Sequence, residues 1–132
     1  MSEKVRILLV DDDPDFVEAN SIVLEASGFE VLSASSGAEG LRRVGEDHPD
    51  LVVLDVMMEN TDEGFAVARQ IRKGLKSSVP IIMLTSVGKV TGFEFKPEEH
   101  PDFFPVDAWL EKPVPPTLLV TKIREILRKG GE

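Results

Sequence analysis

The chain contains no cysteine and no tyrosine, and aromatic residues make up only 6% of its 132 positions. The absence of cysteine excludes disulfides, thiolate metal sites and cysteine nucleophiles, and it accords with a reducing, cytoplasmic setting. No stretch approaches the ~18 consecutive apolar residues that a membrane helix needs. The start, Met1-Ser2-Glu3-Lys4-Val5-Arg6, has no apolar core and no small-residue cleavage site, so no secretory leader is read there. Positive charge is also scarce. Fifteen Lys and Arg face 24 Asp and Glu, a formal net charge of −9. Direct nucleic-acid binding, which rests on Lys and Arg contacts to phosphates, is not expected of this chain alone. What remains is 42% apolar and 30% charged residues, a globular composition whose length suits one domain over residues 1–132.

Short apolar runs punctuate the chain. Val5 to Val10, Leu51 to Leu54 and Ile81 to Leu84 show little polar alternation, which predicts strands buried on both faces. Glu30 to Ala34 and Ala108 to Leu110 are two further strand candidates. Helical patterns lie between them. Asp13 and Pro14 predict the start of a helix carrying Phe16, Ala19, Val23 and Ala26, with Gly28 as its stop. Ser36 predicts the cap of a second helix with Ala38, Leu41 and Val44, ending near Asp47. A third pattern runs from Glu63 to Gly74 with Phe65, Val67, Ala68 and Ile71. A last one runs from Pro116 to Lys129 with Leu119, Ile123 and Ile126 on one face. Alternating strands and helices predict an α/β fold, a doubly wound five-stranded parallel sheet with helices on both faces. Between Val87 and Val106 the expected fourth helix is interrupted by Pro97, Pro101 and Pro105, each costing about 3 kcal/mol inside a helix. A shortened or irregular fourth helix, pinned by its phenylalanines, is the expectation.

In such sheets the functional crevice lies at the carboxyl ends of the strands. Asp11, Asp12 and Asp13 follow the first strand, Asp55 follows the third, Thr85 and Ser86 follow the fourth, and Lys112 follows the fifth. The fold would therefore gather carboxylates, a hydroxyl and an ammonium at one place. Clustered carboxylates repel each other, and a hard divalent cation relieves this; the oxygen-only donor set suits Mg²⁺, with Mn²⁺ as the alternative. A carboxylate beside such an ion can act as a nucleophile toward a phosphoryl donor. Asp11 to Asp13 alone would read as a helix-capping cluster by about three to one; Asp55, Thr85 and Lys112 in register turn those odds. A calcium loop starting at Asp11 fails, because Phe16 stands where its glycine belongs and Ile22 where its closing glutamate belongs. His48 and His100 show no partner pattern and are read as exposed loop residues. Glu59, Asp62 and Glu63 are read as solvated loop acids or helix-start charges.

The run Ile7 to Asp13, the Leu54-Asp55 end, the Leu84-Thr85-Ser86 end and Lys112-Pro113 together resemble the signature of response regulator receiver domains, the CheY-like, flavodoxin-like (βα)5 modules of two-component signalling. The resemblance covers nearly the whole chain. It implies that Asp55 is the phosphoacceptor, that Asp12 binds Mg²⁺ directly and Asp11 largely through water, and that the backbone carbonyl of Met57 completes the ligands. It implies that Lys112 contacts the phosphoryl group, that Thr85 swings toward it, and that Trp109 occupies the aromatic switch position. It also implies partners: a sensor histidine kinase or histidine phosphotransfer protein as donor, an effector protein, and a phosphorylation-dependent homodimer as one mode of output. The chain departs from the pattern at Glu59, where the family usually has proline, and at Gly64, which comes one residue late. The gap from Thr85 to Lys112, which holds the proline-rich Val87–Val106 segment, is a few residues longer than the family's norm, and Trp109 is larger than the customary tyrosine or phenylalanine. Two other readings stand beside this one: a constitutive binding module with a vestigial pocket, and a phosphatase of the haloacid-dehalogenase type. The Asp11/Asp13 pair imitates the latter, but the chain lacks its cap domain.

Overall fold

A computed structural model of the chain describes residues 4–55, 67–75, 77–85, 107–111 and 114–130. Five strands appear in chain order: β1 (Arg6–Val10), β2 (Glu30–Ala34), β3 (Leu51–Asp55), β4 (Ile81–Thr85) and β5 (Ala108–Glu111). Helix α1 (Pro14–Ala26) links the first two strands, and α2 (Gly37–Asp47) links the next two. Residues 67–69 are helical and run into a π-helical turn at Gln70–Gly74, and α3 (Pro116–Gly130) follows β5. All pairings are parallel, in the order β2-β1-β3-β4-β5. This is the doubly wound, flavodoxin-like arrangement that the sequence predicts. The irregular fourth helix expected in residues 87–106 lies outside the described residues.

Strand periodicity divides the core in two. Ile7, Leu9, Leu51, Val53, Ile82 and Leu84 pack with Leu24 of α1 and with Leu119, Val120 and Ile123 of α3. Leu8, Val10, Val52, Leu54, Ile81 and Met83 face the other way, onto Val44 of α2 and Val67, Ala68 and Ile71. The uninterrupted apolar runs of β1, β3 and β4 are explained by this, since successive side chains enter opposite layers and both layers are covered. Gly40 lets α2 lie close on β1: a Cβ there would sit 3.0 and 3.1 Å from the two methyls of Val10.

The predicted helix caps are present. Asp13 precedes α1, and its side chain accepts the Asp15 amide at 3.0 Å. Ser36 Oγ accepts the Glu39 amide at 3.2 Å, and Glu39 reaches back to accept the Ser35 amide at 2.8 Å. That bond, with help from Arg43 and Arg42 and against partial desolvation, holds the Glu39 carboxyl below the usual carboxylate range. Its stabilising contribution is present above the unfolded-state pKa and is lost as pH falls through the lowered folded value. Gly28, at φ 100°, turns the chain out of α1.

Two features depart from the expected pattern. Phe16 and Val23 pack partly buried against the core as expected, but Ala19 and Ala26 are exposed on α1, and its fully buried residues are Asn20 and Leu24. The Nδ2 of Asn20 donates to the Phe16 carbonyl at 2.8 Å, but its Oδ1 is buried with no partner among the described residues. Asn20→Leu is therefore expected to raise the unfolding free energy by about 1–2 kcal/mol, because an unpaired buried acceptor is exchanged for apolar packing. An unchanged or lower urea midpoint would contradict this. His48 ends α2 in the left-handed region at φ 48° and ψ 61°, where its Cβ is strained. His48→Gly is expected to add roughly 0.5–1 kcal/mol, after allowance for glycine's greater unfolded-state entropy. The readout is again equilibrium denaturation.

Candidate functional site

The site forms where β1 and β3 end side by side. Val10 pairs with Leu54, so Asp11 and Asp55 are the next residues along two adjacent parallel strands. The Asp11 amide donates to the Ala34 carbonyl at 3.0 Å, carrying the β1–β2 ladder one residue past β1. Its carboxylate accepts the Asp13 amide at 2.9 Å, which fixes the Asp11 side chain at the mouth of α1. Asp55 is the last residue of β3 and pairs with Leu84 of β4. Asp11 and Asp55 are each only 3% exposed, while Asp12 lies open to solvent.

One carboxylate oxygen from each of Asp11, Asp12 and Asp55 lies within 4.8 Å of the other two. At that spacing two unit negative charges repel by about 3–4 kcal/mol with an effective dielectric constant near 20. The arrangement suits a small hard cation. The donors are all oxygen, two are buried, and the exposed Asp12 leaves one side open for retained water, as Mg²⁺ prefers. The three aspartates named from the sequence are thus brought together.

Asp13 has two roles, and the sequence reading recognised one of them. It caps α1, and its own amide also holds Asp11. The Asp-x-Asp spacing carries that signal, since aspartate commonly accepts the amide two residues on. Thr85 ends β4 opposite Glu111, the last residue of β5, and Trp109 pairs with Met83. The backbones of both residues are thereby placed, and their side chains are not among those described. Lys112, Met57, Glu59, Gly64 and His100 lie outside the described residues. His48 is exposed, as read from the sequence.

Residues 7–124 match the family described as the response regulator receiver domain. The chain belongs to that family. Among curated relatives, it is 39% identical to the probable transcriptional regulator ycf27 of Pyropia yezoensis, over 99% of this chain and 51% of that protein. It is 35% identical to the transcriptional regulatory protein CseB of Streptomyces coelicolor, over 99% of this chain and 53% of that protein. The receiver chain therefore spans about half the length of these relatives. Among solved structures, a CheY-like receiver domain protein from Methanospirillum hungatei superposes with a TM-score of 0.80 at 29% identity, covering 96% of each chain. A putative response regulator from Chloroflexus aurantiacus gives 0.79 at 30% identity, covering 96% of this chain and 99% of that one. Receiver domains are phosphoacceptors rather than conventional enzymes, and the acidic cluster of this receiver fits that role. No helix among the described residues is long and apolar enough to cross a membrane.

Proposed function

We propose that residues 1–132 form one receiver unit that takes a phosphoryl group onto Asp55 in a Mg²⁺-dependent reaction and signals by changing conformation. The observation that carries this reading is the convergence of the Asp11, Asp12 and Asp55 carboxylates at the ends of adjacent strands. An Asp55 carboxylate oxygen attacks phosphorus and forms the new P–O bond. In the donor, a phosphohistidine of a sensor kinase or phosphotransfer protein, the P–N bond breaks. The imidazole nitrogen keeps the electron pair and then takes a proton. Asp11, Asp12, Asp55 and the Met57 carbonyl would hold the divalent ion, whose positive charge offsets that of the carboxylates and the phosphoryl oxygens. Lys112 supplies a second positive charge to those oxygens, and Thr85 a hydroxyl donor. Each role belongs to positioning and charge neutralisation, because the aspartate is itself the nucleophile.

Phosphorylation changes the charge at Asp55 by about −0.5 to −1 overall, since a phosphoryl group bearing ≈ −1.5 to −2 replaces an ionised carboxylate's single charge. Moving a two-state equilibrium from 1:99 to 99:1 requires about 5.5 kcal/mol, a scale that a few charge-assisted hydrogen bonds can reach. Thr85 and Trp109 are the residues through which the change would spread. The output passes to an effector protein by contact, with a phosphorylated homodimer as one form, and the work is done in the cytoplasm. The names of the curated relatives, transcriptional regulators, point to transcription as the process that the signal reaches. The reading is tested by incubating the chain with acetyl phosphate and Mg²⁺. The expected product carries one phosphoryl group per chain as an alkali-labile acyl phosphate. A chain that acquires none under conditions that label other receivers overturns the reading, and leaves a constitutive binding module as the function.

A further inference from the structure

Far from the aspartates, at the opposite end of the sheet, Arg72 and Asp107 form a clamp. Arg72 Nη1 donates to the carbonyls of Val79, at 2.6 Å, and Ser77, at 3.2 Å. Its Nη2 pairs with Asp107 Oδ2 at 3.0 Å. The same Asp107 oxygen accepts the Ile81 amide at 2.8 Å, and the Asp107 amide donates to the Ile81 carbonyl at 2.8 Å. Asp107 therefore grips both backbone groups of Ile81, the first residue of β4, immediately before β5 begins. One guanidinium joins the end of the π-helical turn, the approach to β4 and the entry to β5.

The clamp sits where register is otherwise weakly set. β5 has only four residues and is an edge strand. Its Ala108 and Leu110 are only partly buried, so the apolar pattern that locks β1 and β3 is diluted here. Yet the register of β5 decides what stands beside Thr85: Ile82 pairs with Ala108 at the clamped end and Thr85 with Glu111 at the other. Lys112 is the next residue in the chain. Slipping β5 by one position would set a different residue beside Thr85 and shift the end of the strand by about 3.3 Å.

We propose that the Arg72–Asp107 clamp is a positioning device for phosphoryl transfer, setting the β4–β5 register on which the placement of Thr85 and Lys112 depends. The proposal rests on the reading of Asp55 as phosphoacceptor. It assigns no role in metal binding, because Asp11 and Asp12 follow β1 and Asp55 ends β3, and both strands lie on the far side of β4 from β5. A surface ion pair alone contributes little to stability; the clamp acts through the two backbone groups of Ile81 and the carbonyls it holds.

The test compares the full chain with Asp107→Ala, Asp107→Asn and Arg72→Gln. Each is measured for Mg²⁺ affinity through the fluorescence of Trp109, for the rate of labelling by acetyl phosphate, and for urea stability. Asp107→Ala is expected to keep Mg²⁺ affinity within about twofold and to slow labelling at saturating Mg²⁺ by roughly tenfold or more, a 1.4 kcal/mol effect per tenfold. Asp107→Asn retains an acceptor for the Ile81 amide and is expected to recover much of the rate. Arg72→Gln is expected to fall between the two. Labelling of Asp107→Ala at the rate of the unsubstituted chain overturns the clamp proposal while leaving the function intact. Parallel loss of metal affinity and rate also overturns it, since that is the mark of general destabilisation. Absence of labelling in the unsubstituted chain overturns the function itself, so the two failures are told apart.

Discussion

Replacing Asp55 with asparagine is expected to abolish acyl-phosphate formation while leaving the fold intact. The two side chains are nearly isosteric, and position 55 is 3% exposed at the end of a fully buried strand, so shape matters there. The amide lacks the anionic oxygen that attacks phosphorus, and no proton transfer by a neighbour can restore it. Asp11 and Asp12 cannot take over cheaply. Asp11 is held by the Asp13 amide, and Asp12 is exposed at the mouth of the cluster rather than at the end of β3. Labelling by acetyl phosphate with Mg²⁺ should therefore drop by at least 100-fold, with far-ultraviolet circular dichroism unchanged. The substitution also removes one of three mutually repelling charges, so no loss of stability is expected to accompany the loss of labelling. Labelling equal to that of the unsubstituted chain would place the acceptor elsewhere and end the assignment of Asp55.

Much of this was legible in the residues, for reasons particular to each element. β1, β3 and β4 could be read because strands covered on both faces need unbroken apolar runs, and few other structures tolerate runs bounded so closely by Asp, Pro and Ser. The caps at Asp13 and Ser36 were readable because capping is a local interaction within a few residues. The meeting of Asp11 with Asp55 followed from topology: once β1 and β3 are neighbours, residues ending each strand must adjoin. The face of α1 was harder. Ala19 and Ala26 fit the helical period but bring little apolar area, and the buried stripe instead runs through Asn20, whose polarity hides it from a pattern search. The left-handed His48 and the π-helical turn at Gln70–Gly74 leave no sequence signature of their own. The Arg72–Asp107 pair joins residues 35 positions apart, and its value comes from backbone groups that any sequence would supply.

Asp12→Asn is expected to make two stability curves cross. Without a divalent ion, the folded state holds three carboxylates within 4.8 Å, and the unfolded chain spreads them apart. Removing one charge relieves the folded state alone, so the metal-free variant should be the more stable by a few tenths to about 1 kcal/mol, solvent at the exposed Asp12 keeping the gain small. Mg²⁺ reverses the order. A ligand at 100 times its Kd stabilises the folded state by about 2.7 kcal/mol. A tenfold loss of affinity at the same concentration leaves about 1.4 kcal/mol. Urea midpoints of the two proteins, followed across a Mg²⁺ titration, should therefore intersect, with the variant ahead at low metal and behind at high metal. The crossing depends on neither the donor nor the output, only on whether the charges that destabilise the metal-free cluster are the charges that bind the ion. Lines that stay parallel across the titration would mean that Asp12 is no ligand.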